Sequence, residues 1–322
     1  KPFFRSVFWG LVIKTAGTFA ELFLPYILSH IMDDVVPLAD VWLILLWGGI
    51  MILFALAAFG LNVVANRRAS KVARDATEAL RHDLFAKTLY LSSSQTDRFT
   101  IPSLESRITS DTYNIHRFIG MMQRMGVRAP ILLIGGIIIT ATLDWKLTLV
   151  MLAVLPFISL SIWLISGKGV PLYTDVQKKV DGMVRVVRED AQGIRVIKAL
   201  SRTQYEKDRF DQVNEDLVRV ERRAGTIMAA SNPTMSLLLN LGLTAVILVG
   251  ALLISNGSGT KPGVIIAFMQ YFTLLTNALL TISRIFVMYT KAAASANRVA
   301  EVLACGEELP LRSEEEFPSV AA

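Results

Sequence analysis

The sequence has few of the residues on which metalloproteins and disulfide-linked proteins depend. It contains one cysteine, Cys305, among 322 residues, which excludes a disulfide within the chain and any site built from several cysteines. The three histidines, His30, His82 and His116, do not occur at the HExxH-type spacings that hold a metal ion. We therefore expect no metal site in this chain.

A phosphate-binding loop is also missing from the sequence. Such a loop, G-x-x-x-x-G-K-[ST], cradles nucleotide phosphates with its backbone N–H groups. The one Gly-Lys pair, Gly167-Lys168, has Ile162 where the first glycine belongs and Gly169 where Ser or Thr is needed. We predict that this chain neither binds nor hydrolyses ATP, and that it has no catalytic residue and no cofactor of its own.

Apolar residues, in contrast, are abundant. They make up 53% of the sequence, and charged residues make up 19%. The mean hydropathy of +0.49 is too high for an ordinary soluble domain of this length. A helix needs about 20 mostly apolar residues to cross a bilayer, and six stretches of about that length occur at residues 7–32, 41–65, 127–143, 147–165, 235–254 and 264–283. The sequence predicts an all-α membrane protein with six transmembrane helices.

The distribution of basic residues predicts which side of the membrane each connection faces. Lys and Arg accumulate on the cytoplasmic side of membrane proteins. Of the 33 basic residues, only Lys146 and Lys261 fall in the three short connections. Most of the others lie in the termini and in the two long loops, residues 66–126 and 166–234. We expect the short connections to face outward and both termini to be cytoplasmic.

Each long loop carries apolar residues at helical spacing, which indicates helices and not disorder. In the first loop this pattern continues the second membrane helix for about 26 residues past Ala65, or roughly 40 Å at about 1.5 Å per residue. The pattern breaks at Ser92-Ser93-Ser94 and at Ile101-Pro102-Ser103, and the second loop turns at residues 201–207. We predict two long helical hairpins in the cytoplasm, each with a short segment at its tip.

Three motifs in these segments resemble those of ABC exporters. The sequence SRITSD at residues 106–111 resembles the segment that follows the first cytoplasmic tip in that family. Residues 189–199, with Glu206 and Arg209 downstream, are similar to its second cytoplasmic loop, and residues 295–303 resemble its exit from the sixth helix. Because the motifs occur in order across nearly the whole chain, the sequence resembles the transmembrane domain of an ABC exporter.

This resemblance implies that the two hairpin tips are coupling helices, which dock into nucleotide-binding domains and transmit their movements. By position, the expected coupling residues are Ile101, Pro102, Ser103, Leu104 and Glu105 at the first tip and Ser201, Arg202, Thr203, Gln204 and Tyr205 at the second. The resemblance also implies a dimer of two such domains, identical or different, with ATP and Mg on the nucleotide-binding domains of the complete transporter. Residues 1–303 would form the transmembrane domain, and residues 304–322 a linker toward a nucleotide-binding domain that we expect to be absent from this chain.

A narrower resemblance concerns Arg128-Ala129-Pro130, which opens the third membrane helix, and the run from Val186 to Val196. Both are similar to segments of bacterial multidrug exporters that are built as heterodimers. This implies a multi-pass protein of the bacterial plasma membrane that exports amphiphilic or drug-like compounds. The expected partners are a second transmembrane domain, nucleotide-binding domains, the lipid bilayer and the small-molecule substrate, and no nucleic acid.

Polar residues inside the apolar runs are candidates for a transport pathway, since such residues usually face a bundle interior or a water-filled cavity. The predicted pathway residues are Glu21, Thr18, Asn240, Gln270, Asn277 and Arg284. Hydrogen bonding between helices is the alternative role for these side chains. For Arg284, and also for Lys14 and Lys291, the favoured alternative is that the side chain snorkels to the inner interface.

Glu21 is the one acid deep within an apolar run, where a charge costs about 2.5 to 3.5 kcal/mol on insertion scales. It must be solvated, paired or protonated. We expect its neighbour to be a polar group of the sixth helix, Gln270 or Asn277, in a water-filled cavity that receives cationic compounds.

Two other classes of function stay open on the sequence. An ion-coupled transporter or channel would be expected to show internal repeats, broken helices or several acids at mid-membrane. The long hairpins would have no purpose in such a protein. A membrane scaffold would instead use the hairpin tips to bind a cytoplasmic protein without transport.

Overall fold

A computed structural model describes residues 4–306, and every regular element in this part of the chain is helical. The α-helices are α1 (Phe4–His30), α2 (Val41–Leu89), α3 (Ser93–Phe99), α4 (Ile101–Ser106), α5 (Thr112–Met121), α6 (Arg128–Leu143), α7 (Trp145–Ala199), α8 (Thr203–Ala229), α9 (Ser231–Ser255) and α10 (Pro262–Leu303). Short π-helical or 3-10 turns occur at Ile31–Val35, Val36–Leu38, Arg107–Asp111 and Met122–Gly126. Most of the expected linker, residues 307–322, lies outside the described residues.

Six helical stretches in the described part of the chain are long and apolar enough to cross a membrane. They are Phe4–Leu38, Val41–Leu89, Ile101–Leu143, Trp145–Ala199, Thr203–Ser255 and Pro262–Leu303. Each contains one of the six predicted apolar runs, and α2 continues to Leu89 as the apolar periodicity predicted. The predicted all-α fold with six membrane helices is confirmed.

The helices form two compact units. The first unit contains α1 to α6 together with α10, and its core lies where α1, α6 and α10 meet. The buried residues of that core are Leu22, Ala129, Leu132, Ala267, Tyr271 and Ala278. The Tyr271 hydroxyl donates a hydrogen bond of 2.6 Å to the carbonyl of Leu22, so this buried polar group is satisfied across the α1–α10 contact.

Glycine pairs in apolar helices often mark close helix contacts, and one of the two pairs in this chain does so. A Cβ on Gly135 would lie 2.8 Å from Leu22, and one on Gly136 would lie 3.1 Å from Leu275. These glycines therefore let α6 approach α1 and α10. For Gly48 and Gly49 no described atom lies within 4 Å of such a Cβ, so a close contact expected there is not found.

Acidic side chains join the C-terminal end of α1 to the N-terminal end of α10. The backbone N–H of Gly263, in the first turn of α10, donates a hydrogen bond of 2.6 Å to Asp33 Oδ1. Asp33 therefore caps a helix other than its own, and its negative charge favours the positive end of that helix. Beside it, Lys261 pairs with Asp34, and the carboxylate raises the pKa of the Lys261 ammonium. This ion pair joins the segment after α1 to the segment before α10.

The first hairpin tip contains two short helices, α3 and α4, and not one. The sequence predicted a break at Ser92-Ser93-Ser94, and α2 does end just before it, at Leu89. A new helix, α3, begins at Ser93 because Ser92 and Gln95 form a capping box, in which each side chain bonds the other residue's backbone N–H. A second break falls at Thr100, whose φ of 63° ends α3 before α4 begins, next to the break predicted at Ile101-Pro102-Ser103. The segment at this tip is thus longer than predicted.

The first and third sequence motifs bind each other within the first unit. The buried Asp111 carboxylate accepts a hydrogen bond of 2.8 Å from Ser295 and pairs with Arg298 at 3.1 Å. Arg107, also buried, pairs with Glu301 at 2.9 Å and donates to the carbonyl of Arg298. The last turns of α10 are therefore fixed to the first hairpin by charged hydrogen bonds, which are stronger than neutral ones.

The second unit contains the second hairpin, formed by α7 and α8, and the membrane helix α9. Lys179 of α7 pairs with Asp216 of α8 at 2.9 Å. Arg209 of α8 contacts Glu206 at 3.1 Å and also bonds to Glu189 on α7. These cross-hairpin pairs explain why Glu189, Glu206 and Arg209 occur together in the second motif.

Candidate substrate pathway

Three predicted pathway residues form a polar stripe along α10: Gln270, Asn277 and Arg284. A spacing of seven residues is close to two turns at about 3.6 residues per turn, so these side chains share a face. All three are exposed, whereas the neighbouring Tyr271 and Thr276 are buried in the first unit. An exposed polar stripe on a membrane helix needs water or a partner, because lipid offers it no hydrogen bonds.

Asn277 also lines a pocket of about 200 Å³ between α6 and α10. The apolar wall of this pocket consists of Met125, Ala129, Leu132, Leu274 and Ala278. Its polar groups are Arg128, Asn277 and Thr281, and the Thr281 hydroxyl donates 2.8 Å to the carbonyl of Asn277. The pocket thus combines an apolar wall with one cation, an arrangement suited to a small amphiphilic group.

Glu21 is paired in the structure, and its partner is not the one predicted. Arg128 of α6 contacts both carboxylate oxygens of Glu21, at 2.5 Å through Nη2 and 3.2 Å through Nε. We expected Gln270 or Asn277 as its neighbour, and this expectation is corrected. The charge of Glu21 is balanced by Arg128, on the third membrane helix. Because a bidentate arginine occupies both oxygens, Glu21 is not available to receive a cation in this state.

Lys14 is buried and does not snorkel to the interface as predicted. Its side chain is 5% exposed, and its ammonium donates 2.7 Å to Asn62 Oδ1 and 3.3 Å to Asn66 Oδ1, both on α2. The Asn62 amide in turn donates to the carbonyl of Ala58, which fixes its oxygen toward Lys14. Two amides one helical turn apart therefore solvate a cation between α1 and α2. Sequence reasoning missed both asparagines, although their i, i+4 spacing places them on one face.

The other predicted pathway residues take different positions. Thr18 is fully buried, and its hydroxyl donates 2.8 Å to the carbonyl of Lys14 in its own helix. This position offers no surface to a substrate, so the structure does not support a direct role for Thr18. Asn240 belongs to the second unit and is exposed on α9, where its carbonyl accepts from Thr244.

The predicted coupling residues differ in exposure between the two tips. In α4, Ile101, Pro102 and Glu105 are exposed, whereas Leu104 is buried in a hydrophobic cluster that also contains residues of α2, α3 and α10. At the second tip, residues 201–205 are all exposed. The second tip has no separate short helix, because Leu200, Ser201 and Arg202 form the whole turn and α8 already begins at Thr203.

A comparison with known protein families identifies the family that has this arrangement of six membrane helices and two hairpins. The sequence profile of the ABC transporter transmembrane region matches residues 7–279. The chain belongs to this family. An ABC transporter transmembrane region is an integral membrane domain with several spans, as the six apolar helices indicate.

Several ABC transporter proteins are similar to this transmembrane region. An uncharacterized ABC transporter ATP-binding protein of Mycobacterium tuberculosis is 31% identical over 99% of the chain and 55% of its own length. The protein YfiB of Bacillus subtilis, of the same description, is 29% identical over 94% of the chain and 53% of its length. An ATP-dependent lipid A-core flippase of Pseudomonas savastanoi is 27% identical over 93% of the chain. The chain spans about half the length of these relatives.

Proposed function

We propose that this chain is the substrate-translocating transmembrane domain of an ATP-driven exporter. The observation that carries the proposal is the exposed polar stripe of α10, Gln270, Asn277 and Arg284, beside the pocket that Asn277 lines. Such groups are costly against lipid. A second transmembrane domain, identical or different, would cover the stripe and enclose a cavity that opens alternately inward and outward.

The hairpin tips would connect this cavity to ATP hydrolysis. The exposed residues of α4 and of residues 201–205 would dock as coupling segments into nucleotide-binding domains that hold ATP and Mg. The bonds between the first hairpin and the end of α10 support this role, because they join the hairpin to a membrane helix through ion pairs in which one partner, Arg107 or Asp111, is buried. The complete transporter would then be an ATPase, with both termini of this chain in the cytoplasm of a bacterial cell.

The transported compound would be amphiphilic or drug-like. The pocket beside the stripe is mostly apolar with a few polar groups, which suits a molecule of mixed character. The name of the Pseudomonas relative, a lipid A-core flippase, is compatible with an amphiphilic cargo.

Uptake into inverted membrane vesicles that contain the complete transporter tests the proposal. We expect fluorescent amphiphiles to accumulate with ATP and Mg, and not with a non-hydrolysable ATP analogue. Asn277→Trp should fill the pocket and reduce uptake while the melting temperature is retained. Uptake driven by a proton or sodium gradient without ATP would favour an ion-coupled transporter instead. Tight binding of a cytoplasmic protein at the tips, with no transport at all, would favour a scaffold.

A further inference from the structure

The α6–α10 pocket presents a cation to its interior but no acid among its lining residues. Arg128 is the one charged side chain that lines it, and 36% of that side chain is exposed. The guanidinium is a rigid fork with several N–H donors. Glu21 accepts from Nε and from Nη2, so the N–H donors of Nη1 take no part in this ion pair.

The surroundings of this guanidinium carry an excess of positive charge. Lys14, in the same part of the first unit, interacts electrostatically with two arginines, Arg124 and Arg128, and with one acid, Glu21. Three cations and one acid leave a formal excess of two positive charges. A positive excess at a partly buried site favours a bound group that carries negative charge.

With the orientation expected from the basic residues, the pocket would lie at the depth of the inner half of the membrane. Asn277 follows Gly263, at the outer end of α10, by 14 residues, which is about 21 Å along a helix. The hydrocarbon core of a bilayer is about 30 Å thick. A ligand held here would therefore have its polar group among helices, within reach of the inner leaflet.

We propose, building on the exporter function above, that this pocket binds the acidic headgroup of an anionic amphiphile and that Arg128 determines this preference. A phosphate or carboxylate accepts from the free edge of the guanidinium and from the Asn277 amide. The adjoining hydrocarbon packs on Leu132, Leu274 and Ala278. This reverses the preference for cations that an unpaired Glu21 would give.

The test compares binding of three probes to the complete transporter in nanodiscs of zwitterionic lipid. The probes are octyl phosphate, octyltrimethylammonium, which has the same tail and the opposite charge, and inorganic phosphate, which has no tail. We expect octyl phosphate to bind about tenfold or more tightly than the cationic probe, since one charged hydrogen bond is worth about that ratio. Inorganic phosphate should bind more weakly than octyl phosphate, because it lacks the apolar contact.

The exchange variant Glu21→Arg/Arg128→Glu keeps an ion pair between α1 and α6 but places an acid at the pocket. It should reverse the preference so that octyltrimethylammonium binds more tightly. If this variant has a lowered melting temperature, the neutral pair Glu21→Gln/Arg128→Gln replaces it and should abolish the preference. The matched control Asp34→Lys/Lys261→Asp exchanges an exposed pair at the outer end and should keep the wild-type preference.

Three outcomes would overturn the proposal: equal binding of the two amphiphiles by the wild type, tighter binding of the cation, or an unchanged preference in the exchange and neutral variants. Inorganic phosphate that binds as tightly as octyl phosphate would show a free-anion site and not an amphiphile site. Failure of ATP-driven uptake with a preserved charge preference would refute the exporter function alone. Uptake without any charge preference would refute the Arg128 assignment alone.

Discussion

Replacing Gly263 with alanine should destabilise the outer end of the first unit. An alanine Cβ at this position would lie 2.7 Å from the carboxylate carbon and both oxygens of Asp33. Carbon atoms do not approach others so closely, so the carboxylate must move, and movement breaks its 2.6 Å bond from the Gly263 N–H. The perturbation therefore combines a steric clash with the loss of a helix cap.

The magnitude follows from these two effects. Loss of a capping side chain costs about 0.5–2 kcal/mol, and an added methyl group in a well-packed site costs about 1–3 kcal/mol. The two costs overlap, because moving the carboxylate relieves the clash. We therefore expect Gly263→Ala to lower the free energy of unfolding by about 2 kcal/mol. At about 2–4 °C per kcal/mol for a large domain, the melting temperature should fall by about 4–8 °C.

Thermal unfolding of the purified protein in detergent measures this change, and the chain offers a matched control. Gly49→Ala makes the same substitution within α2, where no described atom lies within 4 Å of the new Cβ. It should leave the melting temperature unchanged or slightly higher, because alanine favours helix. Once Asp33→Ala has removed the carboxylate, Gly263→Ala should have little further effect. If Gly263→Ala lowers the melting temperature equally with and without Asp33→Ala, the reasoning is refuted. It is also refuted if Gly263→Ala and Gly49→Ala change the melting temperature equally.

Three further substitutions test other contacts of the first unit. Asn62→Leu should lower the melting temperature by an amount that corresponds to about 1–3 kcal/mol, because the buried Lys14 ammonium loses its 2.7 Å acceptor. The double variant Lys14→Met/Asn62→Leu should recover much of the lost melting temperature. A decrease in the double variant at least as large as in Asn62→Leu would argue against the contact. In denaturant titrations Asp111→Ala should lower the free energy of unfolding more than Arg298→Ala does, because Asp111 is buried whereas 47% of the Arg298 side chain is exposed. Equal decreases for the two variants would contradict this. Thr100→Gly should stabilise the protein by about 1 kcal/mol, because it relieves a φ of 63° at a β-branched residue, and destabilisation would show that this backbone conformation is not adopted.

The membrane helices could be predicted from the sequence because their length is imposed by the bilayer and not by tertiary contacts. An apolar run of about 20 residues indicates a membrane-spanning helix whatever its neighbours are. The long extension of α2 beyond its apolar run was predicted for a similar reason, since its apolar residues recur with the helical period as far as the tip. Both kinds of signal are local in the chain.

The contacts of the candidate pathway could not be predicted, because they depend on which helices pack together. Glu21 and Arg128 are separated by 107 positions, and nothing in either segment indicates the other. Lys14 could not be assigned to a buried site without knowing that Asn62 and Asn66 face it. The start of α3, in contrast, did have a local signal, because Ser92 followed three residues later by Gln95 is a capping-box pattern.

The accessibility of Asn277 tests most directly the claim that α10 lines an alternating pathway. A Cys305→Ser background would carry Asn277→Cys in the complete transporter, and a membrane-impermeant thiol reagent would be added to the cytoplasmic face of inverted vesicles. We expect Asn277→Cys to be labelled without nucleotide and several-fold more slowly after ATP and vanadate trapping. Thr276→Cys, one position earlier and buried, should stay unlabelled in both states. No labelling of Asn277→Cys, or labelling that is the same in both states, would contradict the account.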